Sequence, residues 1–337
     1  MLISFVSCNK AIIDVPVEKE YPIGFKNAGI MESKASITNE NIATEGNAFT
    51  VYGFYTLDSE EENGEVYTFN PNPVEVTYSD TEGWGYENTQ YWITGGDYTF
   101  MAYFPADFPA NISQDYPANL FTDFQIESQQ SKQIDILACQ VKRKTEDIFV
   151  ENGNIVDFQF KHLLANIRVG LSMAAGYQAT IKAVALTDVA LTADCSYDYS
   201  STPNIVWENH QNTTSVGDNK DNVILINKLD NPNEEGDDFQ YIYTEDYFGG
   251  EGIMVIPEDI SEKSVLLYIV TEITILNEEN TTMEKTFEIQ LPANTVWEAG
   301  KRYTYDVELS LENNIKIGTP GVEQWNTGSF GGTIIIM

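Results

Sequence analysis

Two histidines, three cysteines and a large excess of carboxylates are the residues of this chain that could do chemistry. His162 and His210 are the only histidines among 337 residues. Neither has a Ser or Cys nucleophile in a spacing that builds a hydrolytic triad. His162 lies in an alternating run, Val156-Asp157-Phe158-Gln159-Phe160-Lys161-His162, which assigns it a structural role. The cysteines, at 8, 139 and 195, form no Cys-x-x-Cys or Cys/His spacing, so no zinc pattern is present. Cys139 and Cys195 read as unpaired, buried small apolar residues, with a disulfide between them as the other option. Asp218-Asn219-Lys220-Asp221-Asn222 has the donors of a cation loop. It lacks the Gly and the distal Glu of an EF-hand, so it reads as a solvated loop. With 52 Asp and Glu, some carboxylates must lie close together, and a glycosidase dyad does not follow from that. There is no phosphate-cradling loop and no zinc-protease helix motif. The reading is a non-enzyme with no catalytic, cofactor or metal site.

Cys8 is the exception. It follows Leu2-Ile3-Ser4-Phe5-Val6-Ser7, an apolar run ending in a small residue. That resembles the tail of a lipoprotein signal peptide, in which processing cuts before such a cysteine and acylates it, although only seven residues precede Cys8 here. No other segment approaches the ~20 apolar residues of a membrane-spanning helix. Attachment to the outer membrane would therefore come from lipid alone, which holds stably when two or more chains are present.

The net charge is −34, from 18 Lys and Arg against 52 Asp and Glu. Nucleic acid and anionic lipid are bound through basic stripes, so both are discarded as partners. The acidity reads as the solvated surface of an exported protein. A 42% apolar and 12% aromatic composition supplies packed cores. Trp84, Tyr86, Tyr91 and Trp92 form an aromatic group with two readings. It caps a sandwich core, or it forms a stacking platform for a glycan.

The elements that would position these residues are strands. Tyr303, Tyr305, Val307 and Leu309 alternate with Thr304, Asp306, Glu308 and Ser310, the period of a half-buried strand. Before them, Glu298-Ala299-Gly300-Lys301 reads as a turn, with Gly300 free to take a positive φ. Val156 to Val169 reads as another strand. So do 48–55, 98–104 (stopped by Pro105), 135–139, 223–226, 254–256, 265–270 and 287–291. Residues 9–35 read as extended and loosely held, and residues 194–250 as long loops. Many short strands with no sustained helical period predict an all-β fold of β-sandwich type. The division expected is 1–35 as leader remnant and removable N-terminal segment, 36–153 as one sandwich, and 154–337 as a second.

Three phrases resemble the fimbrillins, the pilins of type V pili in Bacteroides-type bacteria: Phe160-Lys161-His162-Leu163-Leu164-Ala165, Trp297-Glu298-Ala299-Gly300-Lys301-Arg302-Tyr303, and the closing Val322 to Trp325. The resemblance implies two tandem sandwiches of transthyretin-like topology. It also implies export as an outer-membrane lipoprotein to the cell surface, and assembly head to tail with other pilin subunits. In that family a protease removes the N-terminal strand, and a C-terminal segment of another subunit fills the groove.

The corresponding donor here is Thr333-Ile334-Ile335-Ile336, a very apolar strand after Gly331-Gly332. Left exposed it would be an aggregation hazard, so it pairs with its own sheet or with another molecule's. The family pattern cuts after an Arg, and this chain has none before Arg143. Lys19, Lys26 and Lys34 are the candidate cut sites, and an uncleaved chain would suit an anchor subunit. The alternative function is a monomeric surface lipoprotein that binds glycans through Trp84, Tyr86, Tyr91 and Trp92.

Overall fold

The computed structural model describes residues 21–30, 42–57, 66–68, 73–92, 96–108, 119–128, 130–144, 154–173, 177–198, 200, 204–211, 224–226, 240–241, 252–276, 281–293, 295–311, 316–317 and 319–325. Strands carry the fold. In chain order the first nine are β1 (Gly24–Ile30), β2 (Ala48–Leu57), β3 (Val66–Thr68), β4 (Val74–Ser79), β5 (Gly83–Gly85), β6 (Gly96–Phe104), β7 (Asn119–Gln125), β8 (Leu137–Lys144) and β9 (Ile155–His162). Then come β10 (Ala165–Met173), β11 (Tyr177–Thr187), β12 (Thr192–Tyr197), β13 (Ile205–Gln211), β14 (Ile224–Ile226), β15 (Gln240–Tyr241) and β16 (Ile253–Val255). The last are β17 (Leu266–Ile275), β18 (Thr282–Gln290), β19 (Lys301–Leu309), β20 (Lys316–Ile317) and β21 (Gly321–Gln324). Among the described residues, no helix is long and apolar enough to cross a membrane.

Four sheets form. The first runs β1-β9-β8-β6-β2-β4-β5, with β3 on β2. The second runs β15-β10-β19-β20, with β16 on β10 and β21 on β19. The third is β14-β11-β17-β18 and the fourth β13-β12-β7. Strand pairing links residues on either side of position 153. β9, beyond it, pairs with β1 and β8, while β7, before it, pairs with β12. Neighbours along the chain are thus shared between two cores.

Those cores explain the unbroken apolar runs. In β6, Phe100, Ala102 and Phe104 face one core with Phe49, Phe158 and Phe160, while Met101 and Tyr103 face the other. Around the start of β8, Leu137 and Cys139 face the first core, and Ile136 and Ala138 the second. A strand covered on both faces has no polar side to show, so alternation disappears from the sequence. β9 has one buried face and keeps it: Val156, Phe158, Phe160 and His162 point inward.

The long Val156–Val169 strand is two strands. Leu163 and Leu164 break it, with the Leu163 N–H donating to the Ile136 carbonyl at 3.0 Å. Residues 194–250, expected as loops, carry β13 and the end of β12. β13 escaped notice because only Ile205 and Trp207 are buried along it. β19 shows the alternation read from its sequence, with Tyr303, Tyr305, Val307 and Leu309 buried. Gly300 before it takes φ +70°. Cys139 and Cys195 are buried and free, and burial pushes both thiols up, away from the reactive thiolate.

Candidate functional site

The N-terminal strand occupies a groove at the end of the first sheet. β1 is terminal in that sheet and lies parallel to β9, with Gly24 opposite Ile155, Phe25 opposite Val156 and Lys26 opposite Asp157. Ile23 and Phe25 point into the core and are almost fully buried, whereas Lys26 points out. The Phe25 ring lies 5.7 Å from Phe158, 5.7 Å from Phe100 and 5.2 Å from Tyr86, a pocket made of three aromatic side chains. Burying Ile23 and Phe25 contributes roughly 1.5–3 kcal/mol each before ordering costs.

The leading end of β1 is held differently, through its main chain. The Trp92 N–H donates to the Tyr21 carbonyl at 2.9 Å, and the Ile23 N–H to the Gln90 carbonyl at 2.8 Å. The Tyr86 hydroxyl donates to the Ile23 carbonyl at 2.8 Å and accepts from the Gln90 N–H at 3.1 Å. Asn154, just ahead of β9, supplies the opposite side. Its Nδ2 donates to the Pro22 carbonyl at 3.2 Å, and its own carbonyl accepts from the Gly24 N–H at 2.9 Å. The Trp92 indole Nε1 donates to that same carbonyl at 3.1 Å. Burial pushes the Tyr86 phenol up and the Gln90 N–H pulls it partly back, so the hydroxyl stays a donor.

The aromatic group therefore does not form one exposed platform. Trp92 is buried against Tyr98 and Phe100, at 4.8 and 5.6 Å. Trp84 packs 4.8 Å from Phe49, and Tyr86 packs on Phe25. Tyr91 alone of the four is largely exposed, at 46%. These rings close the core and shape the groove.

Of the candidate cut sites, Lys26 lies within β1, paired to Asp157 by an ion pair of 2.9 Å. Residues 9–35 were expected to be loosely held, yet 24–30 form a paired strand, because Ile23 and Phe25 bury their side chains. Lys19, Lys34, Cys8 and the donor candidates Thr333, Ile334, Ile335 and Ile336 lie outside the described residues, as does the 218–222 loop. Asn154 and Gln90 were not singled out in the sequence. Their part is played largely by backbone groups, which leave no mark in residue type. The one signal was the Ile23, Phe25 alternation beside Pro22 and Gly24.

Neither histidine shows a catalytic arrangement. His162 Nδ1 sits 2.9–3.0 Å from the Asp135 carboxylate, and its ring packs 4.8 Å from Trp325. Both His162 and Asp135 are buried, so a substrate cannot reach them. His210 donates from Nε2 to the Pro257 carbonyl at 2.8 Å. Among the described residues, no group of three or more His, Cys, Asp or Glu is placed to hold a metal ion.

Comparison with known proteins gives two kinds of match. The family described as fimbrillin-like matches residues 34–325. Among solved structures, a fimbrial protein from Bacteroides vulgatus superposes with a TM-score of 0.61 at 17% identity, over 91% of this chain and 100% of that one. A candidate cell adhesion protein from Bacteroides ovatus gives a TM-score of 0.50 at 16% identity, over 91% of this chain and 98% of that one. At such identities the likeness is one of fold. No curated protein matches the chain by sequence.

Proposed function

The chain belongs to the fimbrillin-like family, and from that premise we propose that it is a structural subunit of a cell-surface pilus, built into the filament by exchange of strands between subunits. One observation carries the reading. A single terminal strand, β1, fills a groove of which β9 is the other wall, and it does so with two inward side chains two residues apart, Ile23 and Phe25. Ile334 and Ile336 have the same spacing. β1 and the 333–336 segment also flank the family-matched residues on either side.

With β1 gone, β9 would present unpaired N–H and C=O groups beside an aromatic pocket. Such an edge takes any extended strand of suitable side-chain spacing. A tail from one subunit in the groove of the next makes a heterologous contact that does not close, and so gives filaments. The two cores read as two tandem β-sandwich units of transthyretin-like type. Export as an outer-membrane lipoprotein acylated at Cys8, followed by a cut after Lys19, Lys26 or Lys34, completes the scheme. Adhesion is the service such a filament performs.

The test compares trypsin-trimmed full-length protein with the same protein lacking residues 332–337. The deletion variant is expected to stay a folded monomer that cannot act as donor. Equal polymerisation of the two sinks the tail as donor. For the anchor, Cys8→Ala expressed behind its native leader should lose acyl labelling and membrane retention, and unchanged labelling rejects that assignment.

A further inference from the structure

The groove beside β9 grips its strand in two ways that do different jobs. The aromatic pocket of Phe158, Phe100 and Tyr86 reads a side chain. An apolar residue slipped by two positions would still present a side chain to that pocket, because strand side chains repeat every two residues. The pocket alone is therefore a poor judge of register. The other grip reads main chain. From the Tyr21 carbonyl to the Gly24 N–H, each backbone polar group is satisfied: Tyr21 O by Trp92 N, Pro22 O by Asn154 Nδ2, Ile23 N by Gln90 O, Ile23 O by the Tyr86 hydroxyl, and Gly24 N by Asn154 O. Pro22, which has no N–H, leaves no donor unmatched in that series.

Two of these partners are held from behind, Tyr86 at its side chain and Asn154 at its backbone. The Tyr86 hydroxyl is held by the Gln90 N–H, and its ring packs on Phe25. Asn154 is held through its carbonyl by the buried Trp92 indole. A fixed donor at a fixed height along the groove is a stop. The strand must bring a carbonyl to each one, and a slip by two would set a different residue's carbonyl there and displace the neighbouring pairs.

We propose that Tyr86 and Asn154 form a register-setting clamp for whatever strand lies beside β9: β1 within this chain, and the tail of a second copy after exchange. The second half rests on the strand-exchange reading above. The clamp takes hold of backbone, so it accepts donors of different sequence and demands only an apolar residue where Phe25 stands. Tyr86 and Asn154 are positioning residues, and they act before any filament exists.

The test uses the intact chain and needs no exchange, so it fails independently of the filament reading. Lys26 and Asp157 are Cα partners on adjacent strands, within reach of a disulfide. In a Lys26→Cys, Asp157→Cys chain the bridge reports native register. In a Gly24→Cys, Asp157→Cys chain it reports the two-residue slip that brings the apolar Ile23 to the place of Phe25. Both are oxidised under mild conditions, first with the native clamp and then with Tyr86→Phe and Asn154→Asp, near-isosteric changes that remove the two donors and keep the packing. With the native clamp, the in-register bridge should dominate. With both donors removed, the ratio of in-register to slipped bridges should fall about tenfold, the scale expected for losing two hydrogen bonds, one part-buried and one exposed. An unchanged ratio overturns the clamp and leaves strand exchange standing. Failure of the Lys26→Cys, Asp157→Cys chain to bridge with the native clamp overturns the seating of β1 itself, and the clamp with it.

Discussion

Two parallel strand pairs, β1 with β9 and β10 with β19, occupy opposite situations. β19 is an interior strand, laddered to β10 on one side from Arg302 to Leu309 and to β20 and β21 on the other. It buries Tyr303, Tyr305, Val307 and Leu309. Among the described residues, β1 ends its sheet, and its ladder is to β9 alone. Among its described side chains, the buried apolar ones are Phe25 and, just ahead of the strand, Ile23, with the main-chain contacts of 21–24 added at that end. The polar pairs across the two ladders differ in the same sense. Asn166 and Arg302 are buried and bonded at 2.9 Å, whereas Lys26 and Asp157 are about half exposed. On the proposed exchange, the first of these pairs stays and the second is undone. A strand that must be replaceable needs enough burial to seat it and few enough contacts to release it as a unit.

The largest expected effect is in the β10–β19 pair. Tyr305 is fully buried and its hydroxyl accepts from the Trp297 indole at 3.2 Å. Tyr305→Ala should cost roughly 3–5 kcal/mol of global stability, as aromatic truncation in a core does. Denaturant unfolding followed by Trp fluorescence measures this, and a loss under about 1 kcal/mol would show β19 to be peripheral. Phe25→Ala comes next. The proposed exchange requires β1 to leave its groove while the rest stays folded, so the global loss should be smaller, about 1–3 kcal/mol. The main consequence should be local. Trypsin reaches Lys26 only when β1 has left β9, so cleavage there follows the open population and should rise at least about tenfold. If Phe25→Ala lowers the unfolding midpoint as much as Tyr305→Ala while cleavage at Lys26 is unaltered, the contrast between the two pairs disappears.

The β10–β19 pair was far easier to read from sequence than the β1–β9 pair. Tyr303 to Leu309 alternate over a full strand beside a turn whose Gly300 takes the positive φ expected of it. What the alternation could not reveal was the partner. β10 and β19 lie more than a hundred residues apart and pair in parallel, a long-range choice that period and composition do not encode. β1 was hidden for another reason. Its burial rests on Ile23 and Phe25, amid Pro22, Gly24 and Lys26, a mixture that looks like an extended tail. The aromatic group was legible as a group but not in its use. Trp92 and Tyr86 act through an indole N–H and a hydroxyl on backbone carbonyls, and nothing in the sequence names those carbonyls. The sheets cross residue 153 because β7 and β9 are exchanged between cores, which a polar turn at 151–154 does not betray.

The smallest expected effect probes the outer face of β1. Lys26 and Asp157 meet at 2.9 Å with side chains 50% and 48% exposed. Exposed ion pairs of this kind contribute ~0–1 kcal/mol and weaken with salt. Lys26→Gln, which keeps the stem and removes the charge, should therefore loosen β1 only slightly. Trypsin can no longer report on this variant, so hydrogen exchange at the Lys26-side amides of β1 is the measurement. Exchange should quicken by no more than about fivefold at low ionic strength. The difference should vanish above about 0.5 M salt, where the screening length is far shorter than at physiological strength. A change much larger than this, or one that persists in high salt, would mean that β1 is seated by its charge and not by Ile23, Phe25 and the carbonyl contacts at its leading end. The replaceable strand would then be selected by a cation at position 26. The tail around Ile334 to Ile336, which has no Lys or Arg, would be a poor substitute for it.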